Sequence, residues 1–161
     1  MGKFINSVLI TNDDGYNAKG IKILNKISSG LFDKVWVLAP KSNQSGKSHS
    51  ITINKKLIIN KIKNREYTLS GTPVDCVIIG LNKIMPYQEK PAIFLSGINI
   101  GVNLGLDLLY SGTVAAAREA SINGVKAIAL SVDKKDNKVN WSAVNYFAPK
   151  IIKSLYEKKI P

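Results

Sequence analysis

An α/β fold with a mostly parallel sheet, covered by helices on both faces, is predicted by two features of this sequence. Four short apolar runs rich in β-branched residues, at 7–11, 34–39, 92–96 and 126–131, alternate with segments whose apolar residues fall at helical spacing. Each run is near-continuously hydrophobic, as a strand buried on both faces must be. Crossovers between such strands are right-handed, which leaves few topologies open. A third feature points to function. Polar segments at 12–15, 41–50 and 97–113 directly follow three of the runs, and in open α/β sheets ligands bind outside the carboxyl ends of the strands.

The elements follow in order. "SVLIT" (7–11) is a strand closed by turn residues. From Gly20, Ile21, Leu24 and Ile27 keep helical spacing, and Ser28, Ser29 and Gly30 are expected to stop that helix. "KVWVLA" (34–39) is a second strand, ended by Pro40. "ITINKKLIINKI" (51–62) alternates in part and, with "EYTL" (66–69), suggests an antiparallel excursion turning at Asn64. In "SGTPVDCVIIGL", Thr72 can cap a helix, Pro73 suits its first position and Asp75 its first turn. "AIFLS" (92–96) and "KAIALS" (126–131) are the third and fourth buried strands. A helix through "VAAAREASIN" separates them, and an amphipathic helix is expected over 141–158. No internal repeat or linker interrupts the chain, so 1–161 is expected to form a single domain.

Composition narrows the function classes. At 161 residues and 45% hydrophobic, the chain can bury a substantial core. Its formal charge of +12 comes almost entirely from lysine, because Arg65 and Arg118 are the only arginines. Nucleic-acid readers favour arginine for bidentate contacts. The lysines here are scattered rather than clustered, and no basic strand or helix carries interleaved aromatics. A solvated lysine surface is therefore preferred over a nucleic-acid module. Cys76, the single cysteine, excludes an intramolecular disulfide and reads as a buried, inert thiol. No segment is apolar enough for a signal peptide or a membrane span, so a soluble, cytoplasmic protein is expected.

The residues that carry chemistry begin with Asp13 and Asp14. Adjacent strand residues point to opposite faces, so the two can share one ion only if the chain turns, which Gly15 permits. Two carboxylates beside hydroxyl and amide oxygens suit a hard cation such as Mg²⁺ or Mn²⁺. Acids decorating a helix N-terminus would give the same pattern. Zinc is disfavoured, because the one thiol lies in a helix and His49 is the one imidazole. Ser111 and Thr113 open a helix and, with its first amides, can hold a phosphate, although an ordinary Ser/Thr cap is the plainer reading. A metal edge and a phosphate edge on one face point to phosphoryl chemistry. "SGKS" (45–48) is not a P-loop, since Lys41 stands where the earlier glycine belongs. The glycines at 97, 101 and 105 lack dinucleotide spacing. His49 reads as a surface loop residue rather than a catalytic base.

Four blocks, "VLITNDDGYNAKGI", "VLAPKSNQSGKSHSIT", "SGTPVDCV" and "LSGINIGVNLGLDLLYSGTVAAAREA", occur in that order between about Val8 and Ser131. Together they resemble the SurE family of survival-protein nucleotidases. The resemblance implies a Rossmann-like three-layer α/β core, with the family's C-terminal part absent after Pro161. It implies a divalent-metal-dependent phosphatase acting on nucleoside 5′-monophosphates, and optionally on 3′-monophosphates. It further implies that Asp13, Asp14, Ser45 and Asn99 bind one Mg²⁺ or Mn²⁺ ion, and that Asp13 and Asp14 are catalytic. Asn103 and the Ser111–Gly112–Thr113 turn would hold the phosphate. Self-association into dimers or tetramers is the family expectation. A fragment that binds metal but is catalytically impaired is the alternative.

Overall fold

The computed structural model describes residues 4–158. Six strands form one sheet in the order β3-β4-β2-β1-β5-β6. They are β1 (Phe4–Thr11), β2 (Phe32–Pro40), β3 (Ile59–Lys63), β4 (Glu66–Leu69), β5 (Ile93–Ile100) and β6 (Ala127–Val132). All neighbours run parallel except the β3–β4 hairpin, which turns at Asn64 and Arg65. The antiparallel excursion therefore exists, and its second strand extends the parallel sheet by pairing with β2. The mostly parallel α/β architecture matches the expectation.

Period-two alternation with both faces buried explains the three layers. Val8 and Ile10 of β1, Val37 and Ala39 of β2, and Ile93 and Leu95 of β5 face one side. There they pack against Ile21, Leu24 and Ile27 of α1 (Lys19–Leu31) and Val144, Ala148 and Ile152 of α5 (Trp141–Glu157). Leu9, Trp36, Leu38 and Phe94 face the other side. They meet Cys76 and Val77 of α2 (Pro73–Ile79) and Ala116 and Ala120 of α4 (Gly112–Ile122). Burial pushes the Cys76 thiol strongly up, which keeps it protonated and inert. A short helix, α3 (Asp107–Tyr110), precedes α4.

Two boundaries differ from expectation. Helix α1 runs through Ser28, Ser29 and Gly30 to Leu31 and passes directly into β2. A helical glycine costs about 1 kcal/mol relative to alanine. Burying Leu31 and Phe32 stabilises by about 1.5–3 kcal/mol each, so packing overrides propensity. In the 51–62 stretch only 59–63 pairs as strand. Ile51 and Ile53 are exposed, and Asn54 takes a left-handed backbone at φ 59°. Thr52 between them is engaged elsewhere.

That engagement is with Asp75, which is buried at the start of α2. Its carboxylate accepts from the Thr72 amide at 2.8 Å and closes a capping box, the Thr72 hydroxyl accepting from the Asp75 amide at 3.1 Å. It also accepts from the Thr52 amide at 3.0 Å and the Thr52 hydroxyl at 2.6 Å. One carboxylate thus caps a helix and pins an irregular segment. Asp75→Ala leaves buried donors unpaired and is expected to cost about 3 kcal/mol, read as a lower urea midpoint at unchanged slope.

Candidate active site

The chain fills one side of β1 first, through β2 and the hairpin, and then crosses to β5 and β6 on the other. The strand order reverses between β1 and β5, and the carboxyl ends of these two strands flank the crevice where such folds bind ligands. Thr11 of β1 pairs with Ser96 midway along β5, so Asn12, Asp13 and Asp14 leave the sheet beside the second half of β5.

Gly15 makes the turn that two adjacent aspartates require. Its φ of 97° is left-handed, and a Cβ there would lie 3.1 Å from the Ser42 carbonyl carbon, so a side chain is excluded on both counts. Asn12 locks the turn by donating from Nδ2 to the Gly15 carbonyl at 3.0 Å. The Asn12 Oδ1 is buried with no partner among the described residues. By residue type alone Asn12 reads as an ordinary turn residue. Its place before the aspartate pair was the one available signal.

Asp13 is buried, and Thr113 at the head of α4 donates its hydroxyl to Asp13 Oδ1 at 2.7 Å. Gly112 makes the approach possible. A Cβ there would lie 2.8 Å from Asp13 Cβ and 3.1 Å from Asp13 Oδ2. The acidic turn is therefore seated on the N-terminus of α4, where the Ser111 hydroxyl caps by accepting from the Val114 amide at 3.2 Å. The amides of Gly112 and Thr113 open that helix toward the carboxylates. Asp14 is half-buried. Its carboxyl is raised above the usual carboxylate range, first by burial and then by the charge of Asp13.

The remaining sequence-predicted residues gather at the same edge with differing closeness. The Gln44 amide donates to the Asp13 carbonyl at 2.6 Å, which brings the 41–50 loop onto the acidic turn. Ser45, the next residue, is exposed, and its amide bonds Asn43 Oδ1 at 2.7 Å. Asn99 lies within the last part of β5 rather than in a loop, half-buried, and donates to the Gly101 carbonyl at 2.9 Å. Asn103 stands further out and donates to the Ser131 hydroxyl of β6 at 2.7 Å. Thr113 donates its hydroxyl to Asp13 whereas Ser111 only accepts, so the donors left at this helix head are its first backbone amides and the Ser111 hydroxyl hydrogen.

The donor chemistry fits a hard cation. Two carboxylates, one with its charge disfavoured by burial, lie beside an orphaned amide oxygen and neutral hydroxyl and amide groups. No cluster of three or more His, Cys, Asp or Glu residues occurs among the described residues, so an ion held by Asp13 and Asp14 would need neutral oxygen ligands as well.

These features define a class: a doubly wound α/β protein with a cluster of oxygen donors beside a helix N-terminus at its switch point. A family model described as "Survival protein SurE" matches residues 8–161, extending past the four sequence blocks to the last helix. The chain belongs to the SurE family. It is 47% identical to a protein named 5′-nucleotidase SurE from Paramagnetospirillum magneticum, over 94% of this chain and 58% of that one. It is 45% identical to a protein of the same name from Beijerinckia indica, over 95% of this chain and 60% of that one. The crystal structure of the SurE protein from Aquifex aeolicus superposes with a TM-score of 0.88 at 40% identity, covering 96% of this chain and 62% of that one. This chain thus spans about three fifths of the length of the relatives it matches.

Proposed function

We propose that this chain carries the site of a divalent-metal-dependent phosphatase that hydrolyses nucleoside 5′-monophosphates, with 3′-monophosphates as a second substrate. The observation that carries the reading is the Asp13–Thr113 contact, which joins an acidic pair to an anion-binding helix terminus across the switch point. The names borne by the relatives support the substrate class. Asp13, Asp14, Ser45 and Asn99 would hold the ion, Mg²⁺ or Mn²⁺. When bound, it supplies charge stabilisation to the phosphoryl group. Thr113 orients Asp13, which is placed to act as nucleophile or as base for water. The amides of Gly112 and Thr113 would hold the anion, and Asn103 would reach it from the β6 side. Phosphate release from nucleoside monophosphates, with and without Mn²⁺ or Mg²⁺, tests the reading. Hydrolysis that survives chelation overturns the metal, and none in any condition overturns the activity.

The proposed division of labour is separable. Asn99→Ala is expected to weaken Mn²⁺ binding about tenfold while leaving phosphate binding near the parent value. Thr113→Ala removes the hydroxyl from Asp13 as well as disturbing the helix head, so both ligands should bind less tightly. Thr113→Ser should recover most of the loss. Calorimetric titration of each ligand distinguishes the variants, and identical profiles for Asn99→Ala and Thr113→Ala would abolish the division.

Self-association is part of the proposal. Tyr146, Phe147 and Ile151 on α5 are exposed, as are Leu104, Leu106 and Leu109 before α4. Such apolar surface commonly marks interfaces. Light scattering at moderate salt, where the +12 charge is screened, should show a species larger than one chain. A strict monomer would remove this expectation.

A further inference from the structure

The 41–50 loop is held at several points, against the acidic turn and against α2, α3 and α4. Gln44 binds the Asp13 carbonyl, and the Thr72 hydroxyl donates to the Ser50 carbonyl at 2.7 Å. The Ser48 amide donates to the Tyr110 carbonyl at 3.1 Å, and its hydroxyl to the Leu109 carbonyl at 2.6 Å. The remaining anchor joins two side chains seventy positions apart. His49 Nε2 lies 2.8 Å from Glu119 Oε2, with the two side chains only 26% and 16% exposed. A carboxylate can only accept, so the hydrogen resides on Nε2 and the contact holds whether the imidazole is neutral or charged. The other Glu119 oxygen is fixed by Asn123 Nδ2 at 2.9 Å.

Glu119 belongs to α4, the helix whose first turn grips Asp13 through Thr113. The His49–Glu119 pair therefore ties the loop bearing Ser45 to the same rigid element that sets the acidic turn. Exposed side-chain pairs contribute little, but this hydrogen bond is partly shielded and its carboxylate is oriented from behind by Asn123. We infer that His49 is a positioning residue that acts through Glu119 to hold Ser45 in register with Asp13 and Asp14 for the divalent ion. The inference rests on the metal site proposed above. It gives His49 a role although its Nε2 is committed to Glu119.

The test uses the intact chain, Mn²⁺ alone as probe, and trypsin. Lys47 is exposed at the loop tip, so cleavage after Lys47, followed by mass spectrometry, reports release of the loop. His49→Ala and Glu119→Ala are each expected to speed that cleavage and to weaken Mn²⁺ binding about tenfold by calorimetry. The double variant should be no worse than either single one, because the two act through one contact. His49→Gln can still donate to Glu119 and should return both readouts toward the parent. If Glu119→Ala fails to fold, the contrast between His49→Ala and His49→Gln decides alone. Unchanged cleavage in His49→Ala, additive losses, or faster cleavage at parental Mn²⁺ affinity would each overturn the inference. A parent chain that binds no Mn²⁺ removes the metal reading and the inference together. A parent that binds Mn²⁺ as tightly as His49→Ala removes the inference alone.

Discussion

Asp14→Asn is expected to abolish Mn²⁺ binding measurable by calorimetry and to lower nucleotide hydrolysis on the order of a hundredfold or more. A catalytic cation stabilises the transition state by several kcal/mol, and about 1.4 kcal/mol corresponds to a factor of ten. The same variant should not unfold. Burial and the neighbouring charge of Asp13 raise the Asp14 carboxyl, so its charged form is less favourable in the metal-free fold than in the unfolded chain. The sign follows from linkage. A carboxyl raised in the folded state favours folding below its unfolded pKa, and that contribution is lost as pH rises through the folded value. In chelator, the parent should therefore lose thermal stability as pH climbs above the ordinary carboxylate range, and Asp14→Asn should flatten that decline. Parental hydrolysis by the variant would show that the site lies elsewhere.

Gly20→Ala should produce a large loss of stability. Helix propensity alone favours alanine by about 1 kcal/mol. A Cβ at Gly20, however, would lie 1.9 Å from the Ile98 carbonyl oxygen, a backbone atom that cannot rotate away. Either α1 or β5 must move, and overpacking of this kind costs about 1–3 kcal/mol or more, so the clash wins. Ile98 precedes Asn99, so a shift of β5 should weaken Mn²⁺ binding as well. Gly30→Ala in the same helix is the internal control. Nothing lies within 4 Å of its added methyl, and a gain of about 0.5–1 kcal/mol is expected. Urea unfolding of the two variants should therefore move in opposite directions, and a Gly20→Ala midpoint at or above the parent would refute the close approach.

Much of the sheet was legible because its signals are local. A doubly buried strand is apolar at nearly every position, and the runs at 7–11, 34–39 and 92–96 fall on the buried strands β1, β2 and β5. The run at 126–131 reads as buried as well, but it forms the edge strand β6, whose residues are half-buried or exposed because no further strand among the described residues covers it. The Thr72 cap with Pro73 and Asp75 was legible for the same reason, since its contacts span three residues. The end of α1 and the fate of 51–58 were not, because Leu31 and Phe32 gain their burial from distant elements and Thr52 is captured by Asp75. The candidate site divides in the same way. Asp13, Asp14 and the Ser111–Thr113 helix start stand out by residue type and position, whereas Ser45 and Asn99 were chosen by family resemblance.

By itself the sequence determined where the strands lie, the helix starts and the chemical character of the three loops, since each depends on side chains a few positions apart. Only the tertiary structure decided that Thr113 reaches Asp13 a hundred residues away, that Gly112 must lack a side chain, and that His49 meets Glu119. Those contacts depend on how β1, β5 and α4 are set against one another. That arrangement is fixed by burial summed over the whole core, in which no single residue's local preference decides the outcome.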